Sequence, residues 1–131
     1  MRFEGKGLEE TIMKNIAAIV IIFLLMFGAC LALDVYIEHS LEELSAAVDK
    51  IHKNNDIESV NEFEKLWEKH EAGWLMVMKH SEADEISEHV MSMKKNLELG
   101  AMDGYALELE LLKRHLEDMP SHIKLSLKNF L

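Results

Sequence analysis

The chain reads as all-α: one N-terminal transmembrane helix that continues into a small antiparallel helical bundle of three to five helices. Three observations predict this. Residues 16–33 form a run of 18 without a charge. Beyond it, apolar residues recur at spacings of three and four, the period of one helix face. Pro occurs once and Gly six times in 131 residues, so helices are barely interrupted. The expected organisation is a cytoplasmic tail over 1–14, a transmembrane helix over 15–36 and a helical extracytoplasmic domain over 37–131.

The first element is the stretch KNIAAIVIIFLLMFGACLALDVYIEHS, residues 14–40. A helix rises about 1.5 Å per residue, so the charge-free run spans about 27 Å. The hydrocarbon core of a bilayer is about 30 Å thick. Lys14 can snorkel at one end, and Tyr36 sits where interfacial aromatic residues gather. A cleaved signal has an apolar region of about 7–15 residues followed by a small-x-small site. Here the run passes its small residues, Gly28 and Ala29, and continues to Leu33. FGAC resembles a lipoprotein leader ending at Cys30, but Phe27 and the apolar LALDVYI that follows fit one poorly. A soluble helix buried on every side would need more chain around it than residues 34–131 supply. An uncleaved anchor is the reading that remains. Lys14 abuts its N-terminal side, whereas the first basic residue after it is Lys50. The positive-inside rule then places the tail in the cytoplasm and the domain outside.

Ile37, Leu41, Leu44, Val48 and Ile51 make the next stripe. No breaker separates it from the apolar run, so DVYIEHS reads as the point where the anchor becomes the first helix of the domain. HKNND (52–56) reads as a turn, with Asn55 or Asp56 capping the second helix. That helix carries Ile57, Val60, Phe63, Trp67, Trp74, Val77 and Met78. SEAD (81–84) has the form of a capping box. A third helix follows with Ile86, Val90, Met93 and Leu97, closed by Gly100. Asp103 is the candidate cap of a fourth helix bearing Tyr105, Leu109, Leu112 and Leu116, with Leu107 and Leu111 widening its face. Pro120 is expected to end or restart the chain. Ile123, Leu127 and Phe130 suit a short last helix, although Ile123, Leu125 and Leu127 also alternate as in a strand. Helices of this length joined by short turns pack as antiparallel neighbours.

Charge excludes some functions. Residues 34–131 hold 11 Lys/Arg against 21 Asp/Glu, so the net charge of −10 belongs to this part. Such a surface repels nucleic acid and anionic headgroups. A single cysteine allows no disulfide and no multi-cysteine metal site within one chain.

The chemistry-bearing patterns are few. Neither paired Glu-x-x-His motifs nor His-Glu-x-x-His occurs. The densest cluster is KHSEADEISEH, where His80, Glu82, Glu85 and His89 are candidate ligands for a divalent ion, since imidazole and carboxylate suit zinc. An acidic helix start that favours the helix dipole explains the same residues more simply. Trp67, Trp74 and Met78 form a candidate interaction stripe, although such a stripe is more often core. The serines lack a nucleophile elbow, and no glycine-rich phosphate loop is present. No catalytic residue and no cofactor is expected.

The run Trp67-x6-Trp74-x5-His80 leads into EADEI, and ALELELLKRHLEDMPSHIKLSLKNFL comes later. With the preceding anchor, this pattern resembles a family of small single-pass proteins of endospore-forming bacteria, domain-of-unknown-function family 4363. The most specific part is the run over 116–129. The resemblance implies a membrane-anchored helical domain and a sporulating host, and no catalytic residues. Genes of that family often stand beside those of another membrane protein family, which implies a membrane complex. The N-terminal tail departs from the pattern by being longer and more acidic.

The expected function is therefore a non-enzymatic scaffold or regulatory subunit, with the lipid bilayer and a membrane protein, or a second copy, as partners. The alternative is an extracytoplasmic sensor or binding module for a divalent cation or small ligand.

Overall fold

A computed structural model of the chain describes residues 2–130, with side chains described over 5–119. It comprises α1 (Arg2–Asn54), α2 (Ile57–Trp74), α3 (His80–Leu99) and α4 (Met102–Phe130), with no strand among the described residues. The expected fold class is the one observed. The chain divides into two compact units, Met1–Tyr36 and Ile37–Leu131, and α1 supplies residues to both.

In the first unit every described side chain from Gly5 to Ala32 is exposed. Phe23 and Phe27 are 68 % and 65 % exposed, although such rings normally drive burial. By length and composition this part of α1 is sufficient to cross a membrane.

The second unit is an up-down-up-down bundle, and its cross-helix contacts set the directions. Glu43 meets His70 and Lys50 meets Glu62, so numbers rise along α1 as they fall along α2. Trp67 meets Ser87 and Glu64 meets Lys94, which makes α2 and α3 antiparallel. Glu85 meets His115 and His89 meets Glu108, which does the same for α3 and α4. The fully buried side chains are led by Trp67, Trp74, Tyr105, Phe63, Leu44 and Ile51. These come from α1, α2 and α4, and Ile86, Val90 and Met93 complete the core from α3. The three-and-four stripes of the sequence thus supply the core, except that Ile57, at the first position of α2, is 40 % exposed and Leu41 and Leu97 are only partly buried. Leu107 and Leu111 do not join it: they are 58 % and 37 % exposed, because the face formed by Tyr105, Leu109, Leu112 and Leu116 already fills the α4 contact.

The turns show why each helix stops. Asn55 adopts the left-handed conformation at φ 51°, which Asn tolerates better than most side chains. Asp56 is the N-cap of α2, its carboxylate accepting the Ser59 N–H at 2.9 Å. These bonds with the Ser59 hydroxyl and amide hold the Asp56 carboxyl below its ordinary value. At the end of α3, Gly100 has φ 70°, where a Cβ would be strained. The Ala101 N–H reaches the Asn96 carbonyl and the Gly100 N–H reaches that of Leu97, the two bonds of a Schellman ending.

Several expected boundaries move. SEAD does not form a capping box: α3 starts at His80 with Lys79 as its cap and no side-chain cap bond. Ser81 is already helical, so its hydroxyl lies past the capping position, while Glu82 in the first turn still favours the dipole. Asp103 is likewise inside the first turn of α4 rather than before it. The second helix ends at Trp74, which leaves Val77 and Met78 in the following turn. Pro120 neither ends nor restarts the chain, since α4 runs on to Phe130 as one helix. Proline removes one backbone donor, and the bonds on either side continue the helix. The side chains of Ile123, Leu125, Leu127 and Phe130 lie outside the described residues.

Candidate interaction surface

Four seams join the helices of the second unit, and each carries polar pairs beside its apolar core. At the α1–α2 seam, His70 Nε2 lies 2.9 Å from Glu43 Oε2. His39 Nε2 approaches the other oxygen of the same carboxylate at 3.0 Å. At the outer edge of that seam Lys50 and Glu62 pair at 2.7 Å, and the bond raises the Lys50 amine above its ordinary value. Such exposed pairs contribute little to stability but help to set register. At the α2–α3 seam, the Trp67 indole N–H donates to Ser87 Oγ at 3.2 Å, and Lys94 meets Glu64 at 2.6 Å. At the α3–α4 seam, His89 Nδ1 lies 2.6 Å from Glu108 and His115 Nδ1 lies 3.4 Å from Glu85. The His89 and His115 rings meet edge to face, with centroids 6.3 Å apart.

Glu43 is the most constrained of these carboxylates. The His70 hydrogen bond holds it below its ordinary 4.5, helped by the nearby His39, His70 and Lys69 charges and opposed by partial burial. A depressed pKa in the folded state means that ionised Glu43 stabilises the fold above pH 4.5. That contribution is lost as pH falls through the lowered value. Glu43→Gln is therefore expected to be less stable than the parent near neutrality, with the difference shrinking in acid. Thermal melts followed by circular dichroism from about pH 3 to pH 7 check this. A difference that stays constant across the range would remove Glu43 from this role.

The predicted metal candidates do not form one site. His80 is exposed, Glu85 pairs with His115, and His89 pairs with Glu108. Among the described residues no group of three His, Cys, Asp or Glu side chains is placed to hold a metal ion. The predicted stripe is also divided. Trp67 and Trp74 are 2 % and 0 % exposed and belong to the core, while Met78 is half-buried in the turn after α2. Burial leaves the Trp74 indole N–H without a hydrogen-bond partner.

His70 matches no motif in the sequence, yet it is 4 % exposed. Its position could have shown this: it stands three residues after Trp67 and four before Trp74, on the same buried stripe. Glu43, Glu108 and His115 each precede a buried leucine, so they flank the stripes and bridge between them.

The α4–α1 seam is different. Tyr105 donates its hydroxyl to Asn55 Oδ1 at 3.3 Å, and burial pushes that hydroxyl above its ordinary pKa of 10. Beside this bond the two helices leave a groove of about 710 Å³. Val48, Tyr105 and Leu109 give it an apolar floor, and Lys113, Arg114 and Glu117 a charged rim. The short side chain of Ala106 leaves part of the volume unfilled. The groove thus combines an apolar floor with a rim of both charge signs.

No curated protein and no solved structure matches the chain. Residues 32–130 match the family described as Domain of unknown function (DUF4363), and they cover all of α2, α3 and α4 with the bundle part of α1. The chain belongs to the DUF4363 family.

Proposed function

We propose that this chain is a single-pass membrane protein whose helical domain acts as a non-enzymatic scaffold or regulatory subunit of a membrane complex. One observation carries the reading. Residues 16–33 form a helix that is apolar on every side and exposed on nearly every side, and that helix runs without interruption into the folded domain. An all-round apolar helix needs either a large protein shell or lipid. The domain of residues 37–131 already has its own filled core, so lipid is the solvent that suits the segment.

Lys14 on the N-terminal side favours a cytoplasmic tail and an extracytoplasmic domain. The scaffold role is supported by the way polar side chains are used. They join neighbouring helices in pairs rather than gathering in a pocket, and the α1–α4 groove offers a surface for a partner.

Crosslinking of the full chain in native membranes, followed by mass spectrometry through growth and sporulation, tests the role. Recovery of a membrane protein or of a second copy, joined through residues lining the α1–α4 groove, is expected. Recovery of the monomer alone under every condition would refute the scaffold reading. A reporter fused after Leu131 tests the orientation, and activity confined to the cytoplasm would reverse it.

A further inference from the structure

The turn between α2 and α3 has an unusual composition. Residues 75–78 are Leu, Met, Val and Met, four apolar residues in a segment that is neither helix nor strand. Turns exposed to water favour Gly, Asn, Asp, Ser and Pro, which supply local hydrogen bonds or special backbone angles. Met76 is 76 % exposed, more than any other large apolar side chain described. Leu75, Val77 and Met78 are each partly exposed. Trp74, just before them, is fully buried, and Leu75, Val77 and Met78 are partly covered, so Met76 is the side chain that the turn presents most fully to its surroundings.

The turn's place in the bundle follows from register. Glu43 lies opposite His70 on an antiparallel helix, so the residues after Trp74 are level with the start of the domain at Ile37. The apolar run ends at Leu33, four residues before Ile37. That distance is about 6 Å if helical and at most about 14 Å if fully extended. Chain length alone therefore bounds the separation of Leu33 and Ile37.

The backbone of the turn is also prepared for an apolar surrounding. Leu75 N–H bonds to the Glu71 carbonyl at 2.9 Å and Met76 N–H to that of Gly73 at 3.3 Å. Val77 and Met78 N–H both reach the Trp74 carbonyl, at 3.0 and 2.9 Å. All four apolar residues thus have their N–H donors satisfied internally, which lowers the cost of bringing this backbone to the lipid boundary. Lys79 and His80 follow, both exposed. A lysine there can extend to lipid phosphates while the residues before it sit lower.

We propose that residues 75–79 form a second membrane contact, in which Leu75, Met76, Val77 and Met78 enter the boundary between headgroups and acyl chains and Lys79 meets the phosphates. The contact rests on the anchoring reading above. It gives the domain two attachments to one lipid surface: the anchor, and a peripheral apolar turn. Leu99, 71 % exposed in the turn at the opposite end of the bundle, serves as the comparison.

Spin labels test this on the full chain in vesicles of phosphatidylethanolamine and phosphatidylglycerol. Cys30→Ala removes the native thiol, and Phe23→Cys, Met76→Cys and Leu99→Cys each carry one label. The positions are exposed, so the fold is retained, and circular dichroism verifies it. Oxygen concentrates in lipid and a nickel chelate in water. The ratio of oxygen to nickel accessibility at position 76 is expected to exceed that at 99 several-fold and to fall short of that at 23. If position 76 matches 99 while 23 reports lipid, the turn contact is wrong and the anchor stands. If position 76 is shielded from both reagents, a protein segment such as residues 120–131 covers it, and the proposal falls. If position 23 itself reports water, the anchoring reading fails and takes this one with it.

Discussion

Trp67→Ala is expected to destabilise the helical domain by about 3–5 kcal/mol, the range for removing a buried aromatic side chain. Trp67 is 2 % exposed, lies on the same stripe as Phe63 and Trp74, and spends its indole N–H on Ser87. Truncation therefore creates a large cavity and also strands the half-buried Ser87 hydroxyl. For a domain of this size each kcal/mol lowers the melting midpoint by about 4–8 °C, so a fall of roughly 12–40 °C is expected. Since small domains are stable by about 5–15 kcal/mol, the variant lies near the edge of folding. Trp67→Phe keeps most of the ring and loses the hydrogen bond, and it should cost clearly less. Circular dichroism melts of the full chain in detergent micelles give both values. A loss under about 1 kcal/mol for the alanine variant would mean that the indole is a surface group after all.

Ile21→Asp combined with Leu25→Asp is expected to release the chain from the membrane. The two positions are four apart on one face of α1 and are 56 % and 69 % exposed. Each aspartate near the centre of a transmembrane helix costs about 2.5–3.5 kcal/mol on insertion scales, so the pair costs roughly 5–7 kcal/mol. Alkaline carbonate washing separates the outcomes: the parent stays in the membrane pellet and the double variant moves to the supernatant. Neither residue lies in the bundle, so the melt of the domain should not change. A double variant that stays in the pellet with its melt intact would show that residues 16–33 are not what holds the chain to the membrane.

Much of the fold was legible because it rests on periodicity. The apolar run announces itself by length and lack of charge. The stripes of Leu44, Val48 and Ile51, of Val60, Phe63 and Trp67, and of Ile86, Val90 and Met93 all become core. Gly100 was legible as a helix ending because only a residue tolerant of positive φ closes a helix in that way. The misread positions are those where a local signal competes with the helix. SEAD looks like a cap because Ser and acidic residues also favour a helix's first turn, but the cap is Lys79, two residues before Ser81. Pro120 looks like a stop because a missing donor is visible in sequence, whereas the bonds that surround it are not. The cross-helix pairs were the least legible. Sequence distance groups His89 with His80 and Glu85, but its partner is Glu108, 19 residues away on α4. Which charged residue meets which depends on register, and register is set by side-chain packing that no single helix displays.

The order of helices around the bundle has a kinetic consequence. Contacts between successive helices join residues close in sequence: 27 apart for Glu43 and His70, 20 for Trp67 and Ser87, and 19 for His89 and Glu108. Such local pairing favours rapid folding. Only the closing seam joins distant parts, with Asn55 and Tyr105 separated by 50 residues. Loop closure there costs about 0.8 kcal/mol more than at a separation of 20, by the logarithmic scaling of chain entropy. The same seam holds the groove of about 710 Å³, space that its side chains leave unfilled. By chain entropy the α4–α1 seam is the one expected to close last, and α4 would then be the edge along which this otherwise locally paired bundle opens first.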